Sequence, residues 1–207
     1  MAERPYRGKR ALDLVLLLVV AVPAILIGIP CGLAVALTSP GGAFFRQDRV
    51  GMNGRTISVW KFRTMVAGDN PIFPDASRIT TVGKVLRRTS LDELPQLINV
   101  AIGEMSVVGP RPTLQYQVDR YDDHQRRRLA VRPGLTGLAQ VNGRNALSWA
   151  DRIEWDIRYV ETQSLALDLR IILRTLGAMA SGEGVEGHPT DDPLAAPADS
   201  DDPAPGA

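Results

Sequence analysis

Cysteine and histidine are scarce in this chain of 207 residues, which contains one cysteine, Cys31, and two histidines, His124 and His188. A single cysteine excludes a disulfide framework and a cysteine-rich zinc site. Two histidines argue against a histidine-rich metal site. An apolar fraction of 44% and a charged fraction of 23% exclude a collagen-like or wholly disordered chain. The length is within the range of one globular domain.

Basic residues are absent after Arg174, whereas seven of the 23 acidic residues follow it. Residues 1–174 therefore carry 24 basic and 16 acidic residues, a formal charge of +8. A basic body suits anionic partners such as lipid head groups or nucleotides. The body lacks the interleaved basic and aromatic residues that nucleic-acid-binding proteins carry, so nucleic acid is not an expected partner.

Charge is also absent from one long segment, the 24 residues from Leu14 to Leu37. A straight helix of that length measures about 36 Å and would cross a hydrocarbon core of about 30 Å. Pro23 and Pro30 lie inside it, and each is expected to kink the helix. Basic residues flank the run on both sides, and such residues prefer the cytoplasmic side of a membrane. A re-entrant hairpin, breaking at these prolines, would satisfy the flanks and the prolines together.

Two other interpretations of this run stay open on composition alone. One is a plain membrane span. The other is a cleaved signal peptide, which the positive start and the triplet Ala34-Val35-Ala36 favour, although the run exceeds the usual length of about 7–15 residues.

We predict an α+β, mainly helical fold in three parts: the basic flank and membrane segment (1–40), re-entrant in the hairpin interpretation, one compact domain (41–183), cytoplasmic in that interpretation, and a disordered acidic tail (184–207) rich in proline, alanine and aspartate. Asn53-Gly54 between two strand-like segments predicts a β-hairpin. The expected strands are Phe44–Arg49 and Thr56–Phe62, and the expected helices are Leu94–Ile102, 114–131, Trp149–Val160 and Leu165–Met179. The last two helices are amphipathic, and the final one suits either a membrane interface or the domain core.

Two adjacent carboxylates, Asp92 and Glu93, stand where a helix is expected to begin. They suit a helix cap in either of two ways. Ser90 and Glu93 would form a capping box, or Asp92 would be the N-cap. With Asp92 as the N-cap, Pro95 falls in the first turn, where no backbone N–H is needed for an intrahelical hydrogen bond. In both cases the helix dipole favours an ionised Asp92. A fixed, ionised carboxylate also suits a nucleophile in phosphoryl transfer.

Cations surround this pair in the sequence. An arginine held between two prolines has a restricted backbone and suits bidentate binding of phosphate. Together with the membrane run, these cations suggest an anionic substrate handled at a membrane surface. They are Arg87, Arg88, Lys61, Arg63 and, between Pro110 and Pro112, Arg111.

Seven motifs, from about residue 9 to about residue 183, resemble those of the bacterial sugar transferase family, the small monotopic phosphoglycosyl transferases. The first three are Lys9-Arg10-x-x-Asp13, Phe44-Phe45-Arg46-Gln47-x-Arg49-Val50-Gly51 and Lys61-Phe62-Arg63-Thr64-Met65. The other four are Leu86–Gln96, Gly103–Pro112, Val131–Arg144 and Asp156-x-x-Tyr159-Val160.

The resemblance implies transfer of a phosphosugar from a UDP-sugar to undecaprenyl phosphate with release of UMP, the first membrane step of glycan assembly. It implies Asp92 as the nucleophile that forms a phosphosugar-aspartyl intermediate, Glu93 as its partner in metal binding or proton transfer, and Mg²⁺ held by both. Arg87 matches an arginine of the polyprenol-phosphate site. The other expected phosphate-binding residues are Arg88, Arg111, Lys61 and Arg63.

Further residues are expected on the nucleotide-sugar side: Pro110, Pro112, Gln140, Asn142 and Arg144. The resemblance also implies a re-entrant membrane helix with both ends cytoplasmic, and a location at the cytoplasmic leaflet of the bacterial inner membrane. Family members usually break that helix at a Ser-Pro pair, which spacing would place at Ile25-Leu26. Here the prolines lie on either side of that point, at Pro23 and Pro30.

The donor sugar is the least determined feature. Ser181–Thr190 resembles the start of the tail in undecaprenyl-phosphate N,N'-diacetylbacillosamine phosphate transferases, which favours a UDP-N-acetylamino sugar. UDP-galactose or UDP-glucose is the alternative. A catalytically silent scaffold that recruits downstream glycosyltransferases, and a secreted binding domain, are alternatives from other classes.

Overall fold

The computed structural model describes residues 5–66, 76–143 and 147–181. The fold is mostly helical with two small two-stranded sheets. This confirms the predicted mainly helical α+β class with its β-hairpin, whereas the second sheet was not predicted. The α-helices are α1 (Lys9–Thr38), α2 (Thr81–Arg88), α3 (Leu97–Ile102), α4 (Gln115–Asp119), α5 (Asp123–Arg126), α6 (Leu138–Val141), α7 (Trp149–Thr162) and α8 (Leu165–Ser181). The strands are β1 (Phe44–Val50), β2 (Thr56–Phe62), β3 (Ser106–Val108) and β4 (Gly134–Thr136). The predicted acidic tail lies outside the described residues.

Helix α1 is one uninterrupted helix of 30 residues, with Pro23 and Pro30 inside it. It is long and apolar enough to cross a membrane. Its middle is exposed, as at Leu18 and Leu26. The prolines therefore remain within a helix, where the sequence predicts a break.

Both ends of α1 contact the rest of the domain. Near its C-terminal end, Val35 is buried against Phe62 of β2 and Leu86 of α2. Near its N-terminal end, Arg10 donates hydrogen bonds to the carbonyls of Val100 and Ala101 at the end of α3. The apolar run is thus attached at two places to the same body.

A buried polar cluster, which we call the N-terminal clamp, fixes the start of α1. It consists of Tyr6, Lys9, Asp13, Tyr159 and Asp168. The Asp168 carboxylate accepts hydrogen bonds from Lys9 Nζ at 2.6 Å, Tyr6 Oη at 2.8 Å and Tyr159 Oη at 2.9 Å. Asp13 lies 3.7 Å from Lys9 Nζ. The clamp joins the first helix to α7 and α8, because Tyr159 and Asp168 lie on those helices.

The predicted β-hairpin is present. Strands β1 and β2 pair antiparallel from Phe44↔Phe62 to Val50↔Thr56. Asn53 and Gly54 turn the chain with φ of 58° and 76°, a backbone region that favours these residue types. On one face, Ile57 and Val59 are buried against α3, and the next alternate position on that face is Lys61.

Strands β3 and β4 pair in parallel and bring two distant loops together. The backbones approach too closely for a side chain: a Cβ on Gly109 would strike the carbonyl of Arg132, and one on Gly134 would strike the amide of Gly109. Glycine is required at both positions because the two backbones approach closely. Gly109 is two residues before Arg111, and Gly134 N donates to the carbonyl of Pro110, the residue directly before Arg111.

Three of the four helical predictions are only partly correct. The predicted helix Leu94–Ile102 is α-helical only from Leu97, because its first turn belongs to a 3₁₀ helix over Leu91–Gln96. Residues 114–131 form α4, α5 and a 3₁₀ helix over Arg127–Ala130 in place of one helix, because Asp122 caps a new helix by accepting a hydrogen bond from Gln125 N. Helix α7 agrees with its prediction. In α8 the apolar stripe faces outward, and the buried positions are Asp168 and Ile171. The exposed residues of the stripe are Leu165, Leu169, Leu173 and Leu176.

Candidate active site

The two adjacent carboxylates lie on a 3₁₀ helix, Leu91–Gln96, that follows α2 after a sharp turn. Thr89 Oγ1 donates to the carbonyl of Val85 and closes α2. Ser90 then adopts a left-handed conformation with φ of 57°, and its side chain makes no capping hydrogen bond. The 3₁₀ helix begins at Leu91. Ser90 therefore stands at the predicted N-cap position without the capping-box hydrogen bond, and the prediction of Asp92 as the N-cap is wrong.

Packing decides where the carboxylates point. Residues three apart are eclipsed in a 3₁₀ helix, and Leu91 and Leu94 both pack on the apolar cluster that includes Val35 of α1. Asp92 and Glu93 occupy the remaining sides of the same helix. The membrane helix and the candidate site therefore share one structural support.

Glu93 is held by two cations from different elements. Its Oε1 accepts hydrogen bonds from Lys61 Nζ at 3.1 Å and from Arg111 Nη2 at 2.6 Å, and its Oε2 lies 3.5 Å from Arg111 Nη1. Burial alone would raise the pKa of Glu93, but the charges of Arg111 and Lys61 outweigh it and hold the pKa well below its ordinary value. Glu93 is thus a permanent anion that joins β2 to the loop after β3.

Asp92 is in the opposite situation. Within the parts of the chain that the structure describes, no side chain forms a hydrogen bond or ion pair with its carboxylate. Burial, together with the neighbouring charge of Glu93, raises the pKa of Asp92, while the charges of Lys61, Arg87 and Arg111 oppose that rise. Asp92 is therefore an unpaired carboxylate beside several cations.

The loop that carries Arg111 is fixed by its backbone. Gly134 N donates to the carbonyl of Pro110 and Val50 N donates to that of Thr113, each at 2.8 Å. Arg128 Nη2 donates to the carbonyl of Arg111 at 3.1 Å. The flanking prolines predict a restricted loop, and these contacts supply the restraint. The Arg111 side chain itself is 49% exposed and thus open to solvent.

Sequence reasoning missed the role of Arg128. Its guanidinium is buried against the carboxylate of Asp156 on α7 and donates to Tyr121 Oη at 2.6 Å. A signal was available: Asp156 lies on the buried face of α7 with Ile153 and Ile157. A carboxylate on an apolar helix face needs a buried partner.

The other predicted cations are placed differently. Arg87 Nη1 lies 3.5 Å from Met65 Sδ, and its charge acts on Asp92. Arg88 is exposed at the end of α2. Arg63 donates to the carbonyls of Gly42 and Phe44, so its hydrogen bonds go to the turn after α1 instead of the carboxylates.

The residues predicted for the nucleotide-sugar side also lie in different environments. Gln140 has both side-chain amide atoms buried with no hydrogen-bond partner in the part of the chain that the structure describes, and its Oε1 lies close to Gly137. Asn142 bonds the carbonyl of Leu138 and accepts from Arg174, so it links α6 to α8. Pro110 and Pro112 flank Arg111 in the fixed loop. Arg144 lies outside the described residues.

The carboxylates suit Mg²⁺ by their chemistry. Magnesium is usually bound by one or two carboxylates, with substrate phosphates and water completing its shell. Among the described residues, neither oxygen of Asp92 has a side-chain partner, and Oε2 of Glu93 has only the long 3.5 Å contact with Arg111. In the described part of the chain no cluster of three or more potential metal-ligating side chains occurs. The residues present therefore fit a magnesium ion that is completed by phosphate.

Comparisons with known proteins agree with this site. The profile of the bacterial sugar transferase family matches residues 5–182. The sugar transferase EpsL of Bacillus subtilis, itself uncharacterised, is 44% identical, over 69% of this chain and 72% of EpsL. The exopolysaccharide production protein ExoY of Sinorhizobium fredii is 41% identical, over 88% of this chain and 91% of ExoY.

A third relative is the UDP-glucose:undecaprenyl-phosphate glucose-1-phosphate transferase of Caulobacter vibrioides. It is 43% identical, over 83% of this chain and 69% of its own length. The profile match covers most of the chain, including the 3₁₀ helix, the Arg111 loop and both ends of α1. The chain therefore belongs to the bacterial sugar transferase family and is an enzyme of the phosphoglycosyl transferase type.

Proposed function

We propose that this enzyme transfers a sugar phosphate from a UDP-sugar to undecaprenyl phosphate and releases UMP. The observation that carries the proposal is the pair of carboxylates: Glu93 is ion-paired with Lys61 and Arg111, whereas Asp92 has no side-chain partner among the described residues and lies beside cations. A related protein of the same family is named for this reaction with UDP-glucose.

In the first step, an oxygen of ionised Asp92 attacks the sugar-linked phosphorus. The bond from that phosphorus to the bridging oxygen breaks, and its electron pair leaves with UMP. A carboxylate approaches a pyrophosphate only where cations offset the repulsion. Lys61, Arg87 and Arg111, whose charges already act on Asp92, supply that offset.

In the second step, a phosphate oxygen of undecaprenyl phosphate attacks the phosphorus of the phosphosugar-aspartyl intermediate, and the electron pair returns to Asp92. Arg87 lies on α2, which packs against α1, and is therefore the cation on the membrane side of Asp92. That position supports its role with the lipid phosphate.

Glu93 supports the reaction by position and charge. Because Arg111 and Lys61 keep its pKa low, Glu93 is poorly suited to deliver a proton. It holds the two cations at the site, and with Asp92 it would bind Mg²⁺. When bound, that ion offsets the negative charge of the phosphates.

For the donor sugar, the relatives favour a hexose, since one of them is named for UDP-glucose. The tail resemblance of Ser181–Thr190 favours a UDP-N-acetylamino sugar, and that segment lies almost wholly outside the described residues. We propose UDP-glucose or UDP-galactose as the donor and keep the amino sugar as the second candidate.

For the membrane, we propose a re-entrant α1 at the cytoplasmic leaflet of the bacterial inner membrane. Along a straight helix, Asp13 and Val35 would be about 33 Å apart, close to the thickness of the hydrocarbon core. Each end nevertheless contacts the same domain. A full span would place one of those contacts across the bilayer, which supports a path that enters and returns.

The test is UMP release by membrane-fraction protein with Mg²⁺ and undecaprenyl phosphate, across a panel of UDP-sugars. Asp92→Asn is expected to abolish release, because an amide does not form the acyl phosphate. The exposed Asp48→Asn is the matched control. Release with one sugar, lost only in Asp92→Asn, identifies the reaction and the donor. Substantial release by Asp92→Asn would contradict the nucleophile, and no release with any sugar would favour the silent scaffold.

A further inference from the structure

Arg49, near the end of β1, is a half-buried cation whose hydrogen-bond partner is neutral. Its Nε and Nη2 both donate to Oε1 of Gln47, at 3.2 and 2.6 Å. Within residues 5–66, 76–143 and 147–181, no carboxylate lies within ion-pair distance of it. Charges removed from water are normally paired, so this guanidinium is prepared for an anion that the described residues do not provide.

The fold directs Arg49 towards the candidate site. In the hairpin register Gln47 faces Val59 and Arg49 faces Ile57, so both share the face that packs on α3 and that also carries Lys61. The next residue, Val50, bonds the backbone of Thr113 at 2.8 Å. Arg49 is thereby held beside the loop of Arg111.

Two like charges are crowded together at this point. Burial and the charge of Arg111 lower the pKa of Arg49 to about 10, although Tyr116 and the charge of Glu93 act in the opposite direction. Both guanidinium groups are therefore charged at neutral pH. Arg111 is already committed to Glu93, whereas Arg49 is not committed to any acid in the described residues. An anion between the two would relieve the repulsion.

The position of Arg49 identifies which anion it meets. Phe44 follows the turn after α1, and Arg49 lies five residues further along β1, about 17 Å in an extended strand. Val50 packs with Val118, Tyr121 and Trp149, a cluster that contains no residue of α1. Arg87, in contrast, lies on α2 against the membrane helix. Arg49 is thus set apart from α1, whereas Arg87 is not, and this favours the water-soluble donor over the lipid phosphate as the ligand of Arg49.

We infer that Arg49, oriented by Gln47, binds the phosphate that leaves with the nucleoside in the first step. This inference rests on the proposed function. As the bond between the sugar-linked phosphorus and the bridging oxygen breaks, negative charge grows on the departing nucleoside monophosphate, and the Arg49 guanidinium stabilises it by hydrogen bonds without transferring a proton.

The experiment uses the full-length enzyme with UMP as the probe. Titration calorimetry gives the affinity for UMP, and thermal unfolding is followed with and without UMP. The variants are Arg49→Gln, Gln47→Leu and, as the matched control, Arg55→Gln, which removes an exposed arginine from the same hairpin. Turnover with the best UDP-sugar is measured alongside.

Arg49→Gln is expected to weaken UMP binding by about 10- to 100-fold, the effect of losing a hydrogen bond between charged groups. Its ligand-free unfolding temperature should equal or exceed that of the wild type, because the repulsion from Arg111 is gone. Gln47→Leu should show a smaller loss, and Arg55→Gln should bind UMP as the wild type does.

Wild-type affinity in Arg49→Gln, or weaker binding together with a lower ligand-free unfolding temperature, would overturn the inference, since the second result indicates a structural role. If the wild-type enzyme turns over a UDP-sugar and Arg49→Gln retains full affinity for UMP, only this inference is overturned. Wild-type enzyme that neither binds UMP nor releases it overturns the proposed function as well.

Discussion

At the scale of single residues, the neighbouring carboxylates Asp92 and Glu93 have their pKa values moved in opposite directions. Arg111 and Lys61 lower the pKa of Glu93, and burial raises that of Asp92. Adjacent titratable groups whose environments separate their pKa values commonly have different roles. Here the separation supports Glu93 as the fixed anion and Asp92 as the group that reacts.

The separation predicts a change in the pH profile of the Glu93→Gln variant. In the proposed mechanism Asp92 reacts when ionised, so the wild-type rate should fall as the pH drops through a pKa above the ordinary value of about 4. Removing the charge of Glu93 removes one cause of that rise. The acid limb of kcat/KM should therefore move to lower pH, by roughly one unit, while the maximal rate falls because Lys61 and Arg111 lose their anchor.

The profile is measured as UMP release between pH 4 and pH 8, the range over which such a carboxylate would titrate. Glu154→Gln, an exposed glutamate on α7, is the control. If the acid limb of kcat/KM in Glu93→Gln lies at the same pH as in the wild type, or at a higher pH, then Asp92 is not the group whose ionisation sets that limb.

At the scale of elements, the parallel pairing of β3 with β4 supports the Arg111 loop. The pairing depends on glycines, because the backbones of Gly109 and Gly134 touch. Arg111 is two residues beyond Gly109, so any separation of these strands displaces its guanidinium from Glu93.

Gly109→Ala should therefore destabilise the fold and lower activity together. Its Cβ would strike backbone atoms, which have no rotamer to relieve the clash, and we expect a loss of about 3 kcal/mol or more. Thermal unfolding and UMP release measure it. Gly177→Ala on α8 is the control, since open space surrounds that position, and it should stabilise by up to about 1 kcal/mol. Equal effects at both sites would contradict the close approach.

The N-terminal clamp gives a second prediction at this scale. Asp168→Asn leaves Lys9 buried without its close counter-ion, since Asp13 is 3.7 Å away. Breaking a buried pair on one side typically costs about 3–5 kcal/mol. Urea unfolding in detergent should show that loss, whereas the exposed Asp48→Asn should change little. Replacing both partners, as in Lys9→Met with Asp168→Leu, should recover part of it.

The sequence was sufficient for elements that follow local rules. The hairpin around Asn53-Gly54, helix α7 and the joint position of Lys61, Arg111 and Glu93 were predictable from turn chemistry, periodicity and the family motifs. The 3₁₀ helix was not, because it depends on the left-handed Ser90 and on packing of Leu91 against α1. The position of Arg49 was not predictable either, because it depends on how β1 pairs with β2 and not on one segment alone.

At the scale of the whole molecule, the two attachments of α1 predict its topology. Single cysteines are introduced as Arg7→Cys, Pro40→Cys and Arg55→Cys in a Cys31→Ser background. All three should react with an impermeant maleimide in inverted membrane vesicles and none in intact cells, because both helix ends contact the same domain. Arg55 is the control for the domain itself.

A reagent that labels Arg7→Cys from one side and Pro40→Cys from the other would indicate a full span. It would also require the N-terminal clamp to open, since Lys9 is hydrogen-bonded to Asp168 of α8.

The clamp has a consequence for how the protein is made. Lys9 and Asp168 are 159 residues apart, so at about 5–20 residues per second a ribosome needs roughly 8 to 30 s between them. The apolar helix therefore leaves the ribosome and meets the membrane long before its partner exists. Insertion comes first, and α8, which is synthesised much later, then locks α1 in place.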